Sequence, residues 1–479
     1  MPRRQLRLAG PDGIADHLRD LREELEVPAG FPVQVLEEAG EGSREPRLPT
    51  TDLTGLDFVT LDPPGSRDLD QAVHIERRGA GWRVHYAIAD VAAFVRPGGA
   101  LDAEVHGRGL TLYGPDTRTP LHPTVLSEGA ASLLPGEDRP ALVWRFDLDS
   151  DAEPVSVGLR RAVVRSRAQL DYPAVQADLD AGRGSSGELL QEVGTLRLER
   201  ERDRGGVSLP VPEQVAVHGD DGWRLEYRAP QPVEAWNAQI SLLTGMAAAR
   251  IMLDGGIGVL RTLPEADPRD LARLRRVARA LGVEWPEEVA YPDFVRGLDA
   301  AIPAHAAAID AATTLLRGAG YEAFDGSAPE AGFAGGRVRH AAIAAPYAHA
   351  TAPLRRLVDR FVGEACVSLV AGADVPDWVL AALPALPDEM GAAVRRAGGY
   401  ERACLDLVEA ALLEPRVGES FGGVVVDVDG ERGRGEVHLD EPAVRARVDG
   451  EALPLGERVE VRLVEASVAE RRLRFVHPA

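Results

Sequence analysis

Within residues 61–71, Leu-Asp62-Pro-Pro-Gly-Ser-Arg-Asp68-Leu-Asp70-Gln71, three carboxylates fall close together. Asp68 and Asp70 are two apart, so in extended backbone their side chains share one face while Leu69 points to the other. Pro63 and Pro64 stiffen the chain, and Gly65 permits a sharp turn that brings Asp62 back beside the pair. Carboxylates crowded in this way repel one another unless a cation sits between them. Oxygen ligands of this hardness suit Mg²⁺, which keeps waters and binds through a few carboxylates plus substrate phosphate. A metal so held can activate water and neutralise charge on a phosphodiester. The same spacing also fits a solvated turn capped by Asp62, so spacing alone leaves both readings open.

The elements that must position these groups change along the chain. Residues 13–25 have helical periodicity, with Ile14, Leu18, Leu21 and Leu25 on one face, and residues 38–49 read as a Gly/Glu/Ser-rich linker. Residues 1–50 thus form a small helical module. From Asp57 the texture becomes extended: residues 57–61, 72–76 and 82–89 read as strands around a proline-glycine turn and a tight Arg-Arg-Gly turn. Residues 187–202, 233–253, 268–281, 303–316, 353–370 and 387–413 then read as helices. Strands followed by helices predict a large α+β domain over residues 51–415. In residues 416–479, five short valine-rich segments (421–428, 435–439, 445–448, 458–465, 472–476) match an OB-type barrel.

Composition bounds the partners. The chain has 479 residues and a net charge of −22, enough length for two to four domains. It contains no lysine and one asparagine, Asn237, so all 54 strongly basic side chains are arginine. A net charge of this sign repels a polyanion at long range, so nucleic-acid binding needs a local basic groove. Residues 160–167, 197–204 and 337–360 are arginine-rich, and each also fits a solvated helix face. No apolar run is long enough to span a membrane. The start Met1-Pro2-Arg3-Arg4 has no apolar stretch behind it, which argues against a secretory signal. The two cysteines, Cys366 and Cys404, lack metal-ligand spacing and fit buried thiols in a reducing cytoplasm. A monomer is the default expectation.

The run Asp62-Pro-Pro-Gly-Ser-Arg-Asp68-Leu-Asp70 resembles the signature of the ribonuclease II (RNB) family, and a strand ending Ala87-Ile88-Ala89-Asp90-Val91 follows it as in that family. Residues 347–359, Tyr347-Ala-His349-Ala-Thr351-Ala-Pro353-Leu-Arg355-Arg356-Leu-Val-Asp359, resemble the family's second signature. Motif order and the terminal barrel, of the type found in ribosomal protein S1, also agree, and the resemblance covers residue 53 to the C-terminus. It implies an RNB catalytic domain that degrades single-stranded RNA from the 3′ end to nucleoside 5′-monophosphates with Mg²⁺, Mn²⁺ being a second candidate.

The resemblance carries over residue by residue. Asp62, Asp68 and Asp70 match the metal-site aspartates, and Asp70 matches the one whose loss abolishes cleavage. Arg355 matches the arginine on the scissile phosphate, where a bidentate donor can steady developing charge. Its alternative is an i,i+4 pair with Asp359 on a helix opened by Pro353. Tyr113 matches the aromatic packed against the terminal nucleotide, and Glu401 an acidic position near the RNA end. His349 and Arg356 complete the expected RNA contacts.

Four departures stand out. Gln71 replaces a fourth aspartate, offering an uncharged oxygen to the metal. Leu209 replaces a phenylalanine, leaving Tyr113 without a stacking partner. Ala352 replaces a serine, and residues 1–50 are too short for two cold-shock-type barrels. The terminal barrel is also poor in aromatics, so stacking on it should be weak. Two rival readings stay open: a non-catalytic RNA-binding member with a decayed site, and a metal-dependent phosphodiesterase acting on small molecules.

Overall fold

The computed structural model describes residues 14–184, 187–209, 213–219, 222–228, 230–299, 302–326, 338–429 and 432–478. The basic start at Met1 to Arg4, Gly13 and Arg337 lie outside the described residues.

Two closed five-stranded barrels organise the chain. The first is made of Phe58–Asp62, Gln71–Arg78, Gly81–Ala89, Asp138–Leu148 and Pro154–Asp171, and it closes by parallel pairing of the last strand with the first. Alternation drives this: in the long closing strand Ala162, Val164 and Ser166 are buried while Arg161, Arg165 and Arg167 face outward. Residues 160–167 are therefore strand, where a helix face was one expectation. Their arginines pair with acids: Arg161 with Asp90, Arg165 with Asp138 and Arg167 with Asp57.

The second barrel uses Ser420–Asp429, Arg434–Leu439, Arg445–Asp449, Arg458–Ser467 and Arg472–Val476. The third strand pairs parallel with the fifth, and the fourth returns beside the first. All five correspond to the segments read from the sequence. The fold is α+β, a barrel-and-helix domain followed by a second closed five-stranded barrel of OB type.

Helices pack against both barrels. Glu188–Asp203, Pro232–Gly255 and Pro268–Ala280 fall where periodicity placed them. Pro303–Ala312 is continued by a 3-10 turn, and Leu386–Leu413 runs for 28 residues. Pro232–Gly255 ends at Gly256 in the left-handed conformation, φ 71°, the stop that glycine allows without a Cβ clash.

Two expectations fail locally. Residues 33–44 form a helix, Val33–Arg44, across most of the stretch read as linker. Its Val35 and Ala39 join the main core, and that burial outweighs three helix-disfavouring residues, Gly40, Gly42 and Ser43. The helix expected from Pro353 begins instead at Leu357. Residues 351–356 are held by the segment before Tyr113: Thr111 N–H donates to the Arg355 carbonyl, and Leu357 N–H donates to Gly109 O, both at 3.0 Å. Arg355 therefore lies outside the helix and makes no i,i+4 pair with Asp359.

Candidate active site: two carboxylates facing Arg355

The first two barrel strands run antiparallel with Val59 opposite Val73, and extending that register sets Asp62 opposite Asp70. The turn between them uses Gly65 at φ 78°, a conformation that disfavours a Cβ. Leu69 is fully buried and points into the core, so Asp68 and Asp70 flank it toward the site.

Asp70 is 2 % exposed. Its Oδ1 accepts the Leu354 N–H at 2.8 Å, and its Oδ2 lies 3.2 Å from Arg355 Nε. That Oδ2, the Arg355 Nε and Asp62 Oδ2 are all buried without a hydrogen-bond partner. Loss of hydration pushes both Asp62 and Asp70 up to about 7, partly opposed by Arg355 and reinforced by the nearby Asp68 charge. Two phenols, the buried Tyr86 and the half-buried Tyr172, lie within electrostatic reach of Asp62. Tyr86 bonds Ser241 at 2.7 Å, and Tyr172 accepts from Asn237 at 3.2 Å.

The other expected residues have distinct placements. Asp68 is paired with Arg118, which also holds Glu128. Gln71 donates its amide to the Thr351 carbonyl. Tyr113 sits in a short hairpin, Leu112–Tyr113 against Arg118–Thr119, directly opposite Arg118 and within electrostatic reach of Arg355. His349 Nδ1 bonds the Tyr321 hydroxyl at 2.8 Å, and its ring meets Tyr347 and Tyr321 edge-on. Burial, with Arg356 and Arg261 nearby, holds His349 neutral. Glu401 lies on the helix Leu386–Leu413, beside the buried Tyr400. Leu209 packs into the helical cluster around Leu274 and Phe294.

Arg356 is turned to Asp359, with Nε to Oδ2 at 2.9 Å and Nη2 to Oδ1 at 2.8 Å. Asp359 also accepts the Ala352 N–H at 2.6 Å. This pair braces the loop that carries Arg355. Asp359→Ala would strand a buried guanidinium and should cost about 3–5 kcal/mol of stability. Urea unfolding measures it; a loss below about 1 kcal/mol would contradict the bracing role.

The residues fit a cation at Asp62 and Asp70, whose unpartnered oxygens are buried and whose charges burial disfavours. Mg²⁺ needs only one or two carboxylates alongside waters and phosphate. No cluster of three or more His, Cys, Asp or Glu side chains converges as a cage among the described residues. Asp68 and Gln71, expected as ligands, are turned to protein partners here. Sequence reasoning missed Arg118, Glu128, Tyr86 and Tyr172. For Arg118 the signal was the Gly114-Pro115-Asp116 turn, which folds it back against Tyr113.

A carboxylate pair and a guanidinium at one end of a five-stranded barrel, with an S1-type barrel behind, define an RNB-type protein. The chain belongs to this family: the RNB domain matches residues 50–369, and the RNase II-type exonuclease C-terminal S1 domain matches residues 419–477. It is 28 % identical to ribonuclease R of Escherichia coli strain K12 over 494 aligned positions, covering 93 % of this chain and 59 % of the relative. The chain thus spans about three-fifths of that relative's length. Among solved structures, Mycoplasma genitalium RNase R in complex with ribose methylated single-stranded RNA superposes with a TM-score of 0.84 at 19 % identity, covering 98 % of this chain and 78 % of the other. Yeast Ssd1, a pseudonuclease, superposes with a TM-score of 0.70 at 15 % identity, covering 97 % and 58 %. No described helix is long and apolar enough to cross a membrane.

Proposed function

We propose that this protein is a 3′-to-5′ exoribonuclease that hydrolyses single-stranded RNA to nucleoside 5′-monophosphates, acting in the cytoplasm in RNA decay or processing. The observation that carries the reading is the buried Asp70 set against Arg355, with the half-buried Asp62 in electrostatic reach of the same guanidinium and an unpartnered oxygen on each carboxylate. Asp62 and Asp70 would hold Mg²⁺, or Mn²⁺ in its place, and the ion would supply Lewis acidity and an activated water. The protein's own groups do the rest. Leu354 N–H fixes Asp70, Arg355 donates to the phosphate oxygens as charge develops, and Tyr113 offers a face to the terminal base. The RNA carried by the Mycoplasma structure supports an RNA substrate for the shared fold.

A second reading, a catalytically weakened RNA-binding member, draws on two placements: Gln71 is bonded to Thr351 and Asp68 to Arg118, so neither is free to add to the site. A time course on 5′-labelled single-stranded RNA separates the two. A ladder or short end product with Mg²⁺, abolished by EDTA, is expected for the nuclease; bound but intact RNA in every divalent metal tried is expected for the binder.

A further inference from the structure

The exposed tip of the Tyr113 hairpin is gripped by the first described helix, Ile14–Glu24. Arg22 Nη1 lies 2.8 and 2.9 Å from the two carboxylate oxygens of Asp116, in the hairpin turn that Gly114 N–H and Thr117 O close at 2.8 Å. The long helix presses on the same turn, since a Cβ on Gly114 would stand 2.4 Å from the Tyr400 hydroxyl. That hydroxyl lies beside Arg22 and Cys404. Two residues on, Glu24 forms a two-point pair with Arg471 of the terminal barrel, at 2.7 and 2.8 Å. Beneath these ion pairs Ile14, Leu18 and Leu21 share one apolar cluster with Leu112 of the hairpin and Leu407 of the long helix, and Val468 of the terminal barrel packs against it.

The hairpin touches both halves of the site. Arg118 holds Asp68, and Thr111 N–H holds the carbonyl of Arg355. A shift of the hairpin tip therefore moves the carboxylate loop and the guanidinium relative to each other, and misplacement by an ångström at such a site can cost up to about a hundredfold in rate.

We infer that the helix Ile14–Glu24 is a strut between the terminal barrel and the active-site hairpin, with Arg22 as a positioning residue for Tyr113 and Arg118. The strut sets the geometry of the site through the hairpin; its effect on turnover rests on the exonuclease reading above.

The test uses the full chain. Arg22→Gln should lower kcat on single-stranded RNA roughly tenfold while KM changes less than about twofold. The melting temperature should fall by no more than a few degrees, about what one half-buried ion pair contributes. The swapped pair Arg22→Asp with Asp116→Arg should recover most of the loss. Amide hydrogen exchange at Gly114 and Arg118, faster in Arg22→Gln, gives a readout independent of cleavage. Unchanged exchange together with unchanged kcat would overturn the strut. So would a kcat loss that tracks the melting temperature and resists the swap, because general destabilisation then explains it. If the unmodified chain leaves RNA intact while exchange still responds to Arg22→Gln, the strut stands and the exonuclease reading falls.

Discussion

Asp70→Asn should reduce RNA turnover at least about a thousandfold while leaving RNA binding intact. The substitution preserves size, and the Asn carbonyl can still accept the Leu354 N–H that positions Asp70 Oδ1. What it removes is the negative charge against Arg355 and beside Asp62. A cation at Asp62 would lose its charged partner, and Arg355 would gain net positive charge toward a phosphate. Binding to a 5′-labelled oligonucleotide, measured by fluorescence anisotropy, should therefore hold steady or tighten. If binding collapsed together with turnover, Asp70 would be supporting the fold. If cleavage survived, the carboxylate pair would not be the catalytic centre.

Arg355→Lys should lower the single-turnover rate about a hundredfold with little change in stability. An ammonium keeps the charge and loses the planar fork that would meet two phosphate oxygens together. The neighbouring arginine is the control. Arg356→Lys breaks the two-point pair with Asp359, so its effect should appear first in the unfolding midpoint and only secondarily in rate. Comparing both variants by single-turnover cleavage and thermal melting assigns the roles. Equal rate losses from both, scaled to equal losses of stability, would dissolve the distinction.

The sequence displayed the site unevenly, and the reason is geometric. Asp62, Asp68 and Asp70 lie within one short run, and strand alternation with a proline-glycine turn is enough to read them as neighbours. Their separate fates depend on contacts made from far along the chain. Arg118 claims Asp68, and the Thr351 carbonyl takes the amide of Gln71. Arg355 and Arg356 are adjacent and chemically identical, yet one faces Asp70 and the other Asp359. The pairing of residues 109–111 with the loop before Leu357, together with the Leu354 and Ala352 amides on the two aspartates, sets which. The terminal barrel was legible because each strand is short, valine-rich and bounded by turn residues. The helix Val33–Arg44 was not, because its glycines and serine lower local propensity and its apolar contacts come from the core. Residues 160–167 carried a period-two signal, Ala162, Val164 and Ser166, beneath a conspicuous set of arginines.

The bond from Leu354 to Asp70 joins residues 284 positions apart. At ordinary rates of synthesis, about 5–20 residues per second, that gap takes roughly a quarter of a minute to a minute to translate. Meanwhile every strand of the first barrel, and all three of its candidate aspartates, have left the ribosome. A chain made only as far as the first barrel therefore holds the carboxylates without Arg355. The carboxylates and the guanidinium that faces them come together only once most of the chain has been made.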